Sequence, residues 1–95
     1  MITLHIEHAI TDYTVWKQAF DRFAEARRDA GVLRHRLSRP VDDPAYILVD
    51  LTFADAERAE TFLNFLHTHV WPSPAKAPAL IGTPVTRLLA TEEET

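Results

Sequence analysis

The chain contains no cysteine, only two glycines and no long run of apolar residues. The missing cysteines exclude disulfide bonds and thiolate sites. No apolar stretch approaches the roughly 18 residues that a membrane-spanning helix needs. The N-terminal MITLHIEH also lacks the basic and long apolar parts of a signal peptide. We therefore expect a cytoplasmic protein with no membrane partner.

An excess of positive charge is also missing, since 10 Lys and Arg stand against 14 Asp and Glu. Nucleic-acid binding depends largely on basic groups that neutralise phosphates. One local group of arginines remains, namely Arg27, Arg28, Arg34, Arg36 and Arg39. No aromatic residue lies between them to stack on bases. We therefore expect no nucleic-acid partner.

What is present is one domain's length of sequence with an ordinary composition. The 95 residues are 46% hydrophobic and 25% charged. We predict a single domain over residues 1–91, followed by an acidic tail at 92–95. A chain of this size buries only about 60–65% of its unfolded surface, so the core must be thin.

Alternation and helical spacing predict six elements. MITLHIEHAI, VLRHRLS and YILVDLTF alternate as strands, and a last strand, VTRLLA, follows Gly82 and Pro84. Asp12 and Asp55 can cap two helices. The apolar stripe of the first helix ends before Gly31 and consists of Tyr13, Trp16, Phe20, Phe23, Arg27 and Ala30. The order β-α-β-β-α-β predicts a ferredoxin-like α+β fold, in which a four-stranded antiparallel sheet carries both helices on one face.

Two helices leave the second face of that sheet uncovered. This open face would carry both signs of charge together with apolar area: His5, Glu7, Arg34, Arg36, Tyr46, Leu48, Asp50 and Arg87. Packing two such faces together would pair acids with arginines and cover Tyr46 and Leu48. We therefore predict a two-fold symmetric homodimer through the open sheet face.

Three segments carry a family resemblance: DYTVWKQAF, RRDAGVL and DDPAYILVDLTFADAERAETFL. Over about residues 2 to 91 the chain resembles the dimeric α+β barrel superfamily. It is most similar to the small bacterial proteins grouped with antibiotic-biosynthesis monooxygenases. The resemblance implies a homodimer whose two sheets form an α+β barrel with the helices outside.

The superfamily includes cofactor-free monooxygenases of polycyclic aromatics, lactone isomerases and haem enzymes. Its haem-degrading branch uses an Asn on the first strand, a Trp and a later His. Here the only Asn is Asn64, in the second helix, and no His follows Trp71. The resemblance therefore implies a protein without a cofactor. In its monooxygenases, Trp, Tyr, His or Arg side chains line an apolar pocket.

The segment HTHVWPSP at residues 67–74 presents a choice between structure and function. His67 is interpreted as a helix-terminal residue stabilised by the negative end of the helix dipole. Alternatively, His69 and Trp71 leave the helix and line the mouth of a pocket. Residues two apart in a helix point in different directions, and no third ligand lies at chelating spacing, so we expect no metal site.

Two further histidines are candidate catalytic residues beside His69. His5 shares a strand face with Glu7, so it is either a general base or part of an ion-paired dimer interface. His35 lies between Leu33 and Leu37 on the apolar side, where it would be a buried core residue or a polar group in a ligand cavity. Trp16, Phe20, Phe62 and Trp71 are the predicted substrate-binding residues, although such a stripe can equally be core.

Two functions remain open from the sequence. One is a small enzyme, a cofactor-independent monooxygenase or isomerase that binds an aromatic or polyketide-like molecule. The other is a dimeric binding or structural module without turnover. An apolar void that is open to solvent and surrounded by Trp16, His35, Phe62, His69 and Trp71 would favour the first. Aromatic side chains that fill this volume would favour the second.

Overall fold

The structure, a computed structural model, describes residues 1–95. Its elements, in chain order, are β1 (Ile2–Ile10), α1 (Tyr13–Arg22), α2 (Ala24–Asp29), β2 (Arg34–Ser38), β3 (Tyr46–Phe53), α3 (Ala56–Phe65), a π-helical turn (Leu66–Val70) and β4 (Leu80–Ala90). The strands form one antiparallel sheet in the order β2-β3-β1-β4. The predicted βαββαβ ferredoxin-like fold is thereby confirmed. No helix is long and apolar enough to cross a membrane.

The two faces of the sheet follow the alternation in the sequence. On β1, Leu4, Ile6 and Ile10 are buried beneath the helices, while His5 and Glu7 point to the open face. The pairing His5↔Asp50 and Glu7↔Leu48 places the same parity of β3 on that face. The core is accordingly a single layer between sheet and helices: Leu4, Ile6, Ile10, Ile47, Val49, Leu51, Phe53, Ala59 and Phe62.

The first helix begins at the predicted cap but does not run unbroken. The Asp12 carboxylate accepts a hydrogen bond from the amide of Val15 at 3.1 Å. At Phe23 the backbone leaves the helical conformation, with ψ at 14°, and α2 starts one residue later. The predicted single helix is therefore two helices, and the break brings Arg27 beneath Phe20.

Asp12→Ala is expected to destabilise the protein by about 1 kcal/mol, because it removes the acceptor for a free helix amide. Urea unfolding monitored by circular dichroism measures this change. Asp42→Ala is the control, since Asp42 is an exposed loop residue outside the helices. An equal loss in both variants would contradict the capping role.

The second helix is extended by a wider turn. The amide of Trp71 donates to the Leu66 carbonyl at 2.8 Å, a hydrogen bond across five residues. Pro72 then ends the helix. No helix forms over residues 75–80. These residues make hydrogen-bonded turns, and β4 begins at Leu80 instead of Val85.

β4 carries a bulge opposite His8. Glu7 pairs with Val85, but Ala9 pairs with Ile81, so three residues of β4, Gly82 to Pro84, face one residue of β1. Gly82 adopts a positive φ of 73°, which glycine tolerates without strain. Bulges bend a strand and re-aim the side chains next to them. This one lies directly beside the candidate site.

Candidate functional site

A cavity of about 80 Å³ lies between the sheet and the helices. Apolar side chains form most of its wall, and all four predicted substrate-binding residues line it: Trp16, Phe20, Phe62 and Trp71. The π-helical turn contributes Val70, and residues 76–80 close the remaining side. Trp16, Phe62 and Trp71 thus border an apolar void, whereas His35 and His69, the other two residues predicted to surround it, do not.

The aromatic residues also pack against one another. The rings of Trp16 and Phe20 stack with centroids 5.0 Å apart, and Tyr13 stacks on Trp16 at 6.1 Å. Phe62 is buried and contacts Phe53 at 6.1 Å between ring centres. The stripe thus serves both as core and as cavity wall.

His8 is the imidazole that reaches the cavity. It lies on the same face of β1 as Leu4 and Ile6, is buried, and lines the cavity. Its Nδ1 lies 2.9 Å from the Ala9 carbonyl oxygen, which can only accept, so Nδ1 carries the proton. Burial lowers the pKa of His8, outweighing the opposing effect of this backbone hydrogen bond.

The second ring nitrogen of His8 has no partner within the chain. No fully enclosed side-chain nitrogen or oxygen lacks a hydrogen bond, so Nε2 must reach accessible space. A neutral imidazole with Nδ1 protonated presents a lone pair at Nε2. The arrangement can therefore accept a proton from a molecule in the cavity.

Two cations also line the cavity. Arg27 is 7% exposed, and its Nη1 donates to the Phe20 carbonyl at 2.6 Å. Its guanidinium carbon lies 3.6 Å from the centre of the Phe20 ring. Burial lowers the pKa of Arg27, only partly countered by the charge of Asp21. Lys76 contributes from the closing segment.

His35 does not line the cavity. Its pairing with Leu51 places it on the helix side of the sheet, as predicted, but it is exposed, so the expectation that it is buried is wrong. The reason is that β2 is an edge strand, which the helices do not cover. His35 contacts the edge of Phe20 at 5.3 Å between ring centres. Partial burial, with the nearby charges of Arg27 and Lys17, lowers its pKa.

His69 also lies away from the cavity, because the helix continues through it as a π-helical turn. It is exposed, and its ring centre lies 5.8 Å from that of Phe65. Of the predicted pair, only Trp71 lines the cavity. His67 is exposed in the same turn and contacts the Trp71 ring edge-on at 4.8 Å. No group of three or more His, Asp or Glu is arranged to hold a metal ion.

His5 lies on the opposite side of the sheet, within a carboxylate cluster. Its Nδ1 donates to Asp50 Oδ1 at 2.7 Å and its Nε2 to Glu7 Oε2 at 2.8 Å. Tyr46 Oη donates to the other oxygen of Glu7 at 2.8 Å. Two ionised carboxylates can only accept, so both ring nitrogens must donate, which requires the imidazolium. His5 therefore belongs to the open face and not to the cavity.

The pKa of His5 sets the pH dependence of this cluster. Burial opposes protonation, but the hydrogen bonds that His5 donates to Glu7 and Asp50, together with their negative charges, outweigh it and raise the pKa of His5. The hydrogen bonds from His5 and Tyr46 lower the pKa of Glu7. The His5 contribution to stability is thus fully present below the unfolded histidine pKa, about 6.5, and is lost as pH rises through the raised value.

We expect the stability difference between wild type and His5→Gln to be largest in weak acid and to shrink above neutral pH. Urea unfolding at fixed protein concentration from pH 5.5 to 9 measures it. NMR titration should place the His5 pKa above its ordinary value in wild type and lower it in Asp50→Asn. A stability difference that grows with rising pH would contradict this assignment.

The open face also carries unpaired arginines and exposed apolar side chains. Arg36 lies across from Asp50 and Arg87 across from His5, yet neither forms an ion pair within the chain. On β4, an apolar stripe runs along this face: Ile81 at 46% exposed, Val85 at 55% and Leu89 at 44%. Single exposed apolar residues are ordinary, and these three, with Arg87 between Val85 and Leu89, are apolar area that a partner would cover.

The sequence reasoning missed His8. The signal that could have found it is its parity, because it alternates with His5 and Glu7 and so shares a face with Leu4 and Ile6. Helical spacing places Arg27 on the stripe of the first helix, but its burial beside a cavity depends on the break at Phe23, which no residue pattern indicates.

Comparison with solved structures places the fold among known proteins. A proposed antibiotic biosynthesis monooxygenase from Deinococcus radiodurans superposes with a TM-score of 0.75 at 15% identity, covering 100% of this chain and 96% of its own. SnoaB, a cofactor-independent oxygenase from Streptomyces nogalater, gives 0.74 at 19% identity, covering 98% and 94%. A dimeric ferredoxin-like protein from an uncultured marine organism gives 0.68 at 10% identity, covering 99% and 97%.

No family model matches the sequence, and no curated protein matches it. At these identities the superpositions show a shared fold. The resemblance that the three sequence segments indicated is thereby confirmed at the level of the fold, over nearly the full length of each chain.

Proposed function

We propose that this protein binds a small aromatic molecule in the cavity between sheet and helices and oxidises it without a cofactor. The observation that carries the proposal is His8. A neutral imidazole, held by a backbone carbonyl, lines a cavity walled by aromatic rings, and its Nε2 has no partner within the chain. Similarity to the SnoaB fold supports the reaction class, since SnoaB is a cofactor-independent oxygenase.

The size of the cavity restricts the ligand. Pockets for drug-sized molecules span about 300–1,000 Å³, whereas a single water needs about 10–15 Å³. A cavity of about 80 Å³ is roughly half the size of the 150 Å³ cavity that holds benzene in an engineered protein, so even a compact molecule of one ring requires the 76–80 segment to move outward. A multi-ring polyketide would require a larger movement.

The proposed chemistry uses one base and dioxygen. His8 Nε2 accepts the hydroxyl proton of a phenol or of an enol, the tautomer of a ketone with an activated CH₂ group, and the resulting phenolate or enolate reacts with dioxygen at its electron-rich carbon. An activated CH₂ group becomes a carbonyl, so that R₂CH₂ and O₂ give R₂C=O and H₂O. Four electrons pass from carbon to dioxygen. One oxygen atom enters the carbonyl and the other leaves as water.

On this geometry we assign the role of general base to His8 and no longer to His69, His35 or His5. The first two are exposed and the third is ion-paired on the open face, so none of the three borders the cavity. The four aromatic residues keep their proposed role of substrate binding.

We further propose that the protein is a homodimer through the open sheet face. The apolar stripe on β4 and the unpaired Arg36 and Arg87 support this arrangement. A second copy would bring acids to the arginines and cover the stripe. Structures that share the fold include dimeric ferredoxin-like proteins.

The test is a thermal-shift screen of single-ring phenols and cyclic enols, followed by oxygen-electrode assays of the compounds that bind. Binding should raise the melting temperature. His8→Gln should keep binding but lower the turnover rate by about 10²–10⁴-fold, the usual contribution of a general base. His5→Gln, the same substitution on the other face of β1, is the matched control and should retain turnover.

Three outcomes separate the possible functions. Loss of turnover only in His8→Gln supports the enzyme. Binding without oxygen consumption favours the alternative, a dimeric binding module. Absence of any binding compound removes both the ligand and the reaction.

A further inference from the structure

The charges that line the cavity have the opposite sign to the chain. The protein carries 14 acidic and 10 basic side chains, for a net charge of -4. Around the cavity the order reverses, because Arg27 and Lys76 line it and no Asp or Glu does. A cavity that was only a packing void in the core would not need a buried cation in its wall.

Arg27 is the more informative of the two cations because it is buried. Removing a guanidinium from water is costly unless hydrogen bonds replace its hydration. The side chain is 7% exposed and has five N–H donors, and its bond to the Phe20 carbonyl uses only one of them. It forms no salt bridge. Asp21, the acid whose charge acts on Arg27, is already paired with Lys17 at 2.6 Å.

The remaining donors of Arg27 lie where a ligand can reach them. No fully enclosed side-chain nitrogen is unpartnered, so Nε and Nη2, which have no partner within the chain, each retain accessible surface, and Arg27 lines the cavity. The guanidinium carbon lies 3.6 Å from the centre of the Phe20 ring, and this contact limits the movement of the side chain. A flat, fixed guanidinium with free donors is the group that binds carboxylates and other anionic oxygens in two-point geometry.

We propose that the molecule bound in the cavity is an anion, a small aromatic acid whose carboxylate or phenolate oxygen binds the Arg27 guanidinium while its ring packs against the aromatic wall. This inference rests on the proposed ligand site and adds the charge of the ligand. It assigns Arg27 as the residue that selects acids over neutral molecules of the same shape.

The first experiment compares benzoate with benzamide, which have the same ring and nearly the same shape but differ in charge. Titration calorimetry at pH 7.5 should show benzoate binding at least about tenfold more tightly, as expected of a hydrogen bond to a charged group. Arg27→Met keeps the apolar stem and should make the two affinities equal. Arg27→Lys should restore part of the preference.

Arg28→Met is the matched control, because Arg28 is the next residue on α2, is exposed, and does not line the cavity. It should leave the preference unchanged. Equal affinities in the wild type, or a preference that survives in Arg27→Met, would overturn the inference while leaving the ligand site intact. Binding of neither compound, nor of the screened phenols, would overturn the proposed function itself.

A second measurement identifies the anionic oxygen and does not depend on a variant that folds. The phenolate of 4-nitrophenol absorbs visible light, so its ionisation can be followed in the bound state. Arg27 should lower the pKa of bound 4-nitrophenol relative to the free compound, if phenolates are accepted. A preference for benzoate over benzamide without a lowered pKa of bound 4-nitrophenol would identify the carboxylate as the group that Arg27 binds. An unshifted or raised 4-nitrophenol pKa together with no benzoate preference overturns the inference.

Discussion

Replacing Val85 by aspartate is expected to convert the proposed homodimer into a monomer at micromolar concentration. Val85 lies at the middle of the apolar stripe on β4, directly across from Glu7. An aspartate there would be buried in the apolar part of the interface, directly across from an existing acid. Burying an unpaired charge costs about 3–5 kcal/mol, and two-fold symmetry introduces the change twice.

A cost of about 3 kcal/mol corresponds to more than a hundredfold in Kd. Sedimentation velocity or light scattering measures the mass directly. Val41→Asp is the matched control, because Val41 is fully exposed in the β2–β3 loop. A wild-type monomer, or a Val85→Asp variant that remains dimeric, would show that the open face is not the interface.

Phe53→Ala is expected to lower the free energy of unfolding by about 3–5 kcal/mol. Phe53 has no exposed surface, is among the largest fully buried side chains, and packs against Phe62. A chain of this length is stable by only about 5–14 kcal/mol, and its single-layer core cannot collapse far to fill the space. The variant should lose a large part of its stability.

Urea unfolding at one fixed protein concentration measures this loss, since dimerisation makes stability depend on concentration. Phe53→Leu retains most of the volume and should cost less than about 1.5 kcal/mol. A loss below about 1 kcal/mol for Phe53→Ala would show that this end of the core is not close-packed.

The sheet and its two faces could be predicted because alternation is a local property. His5 and Glu7 on one side of β1 and Leu4 and Ile6 on the other follow directly from the two-residue period of a strand. The same rule places His8 beneath the helices. Parity says which face a side chain takes, but it does not say how far the covering layer extends.

That limit explains His35. Its parity is apolar, but β2 is a five-residue edge strand and the helices lie over the middle of the sheet. Leu33, on the same side, is 57% exposed for the same reason. Whether a side chain on an edge strand is buried depends on how far the helices extend over that edge. The alternation of apolar and polar residues in the sequence does not contain this information.

The cavity itself depends on two backbone irregularities. The break at Phe23 brings Arg27 under Phe20, and the π-helical turn directs Trp71 inward and His69 outward. Neither irregularity has a glycine or proline at its centre to indicate it. The aromatic walls were therefore predictable from helical spacing, while the polar groups that face the ligand were not.

The bulge on β4 has a further consequence for how copies of the chain can associate. An outer strand with a regular row of free backbone groups can recruit another strand and begin fibrillar growth. Here Pro84 removes one amide, and the two extra residues interrupt the row. The other outer strand is short and carries Arg34 and Arg36. Because both edge strands are interrupted, the open face can carry exposed apolar side chains without leading to amyloid-like polymerisation through the edges of the sheet.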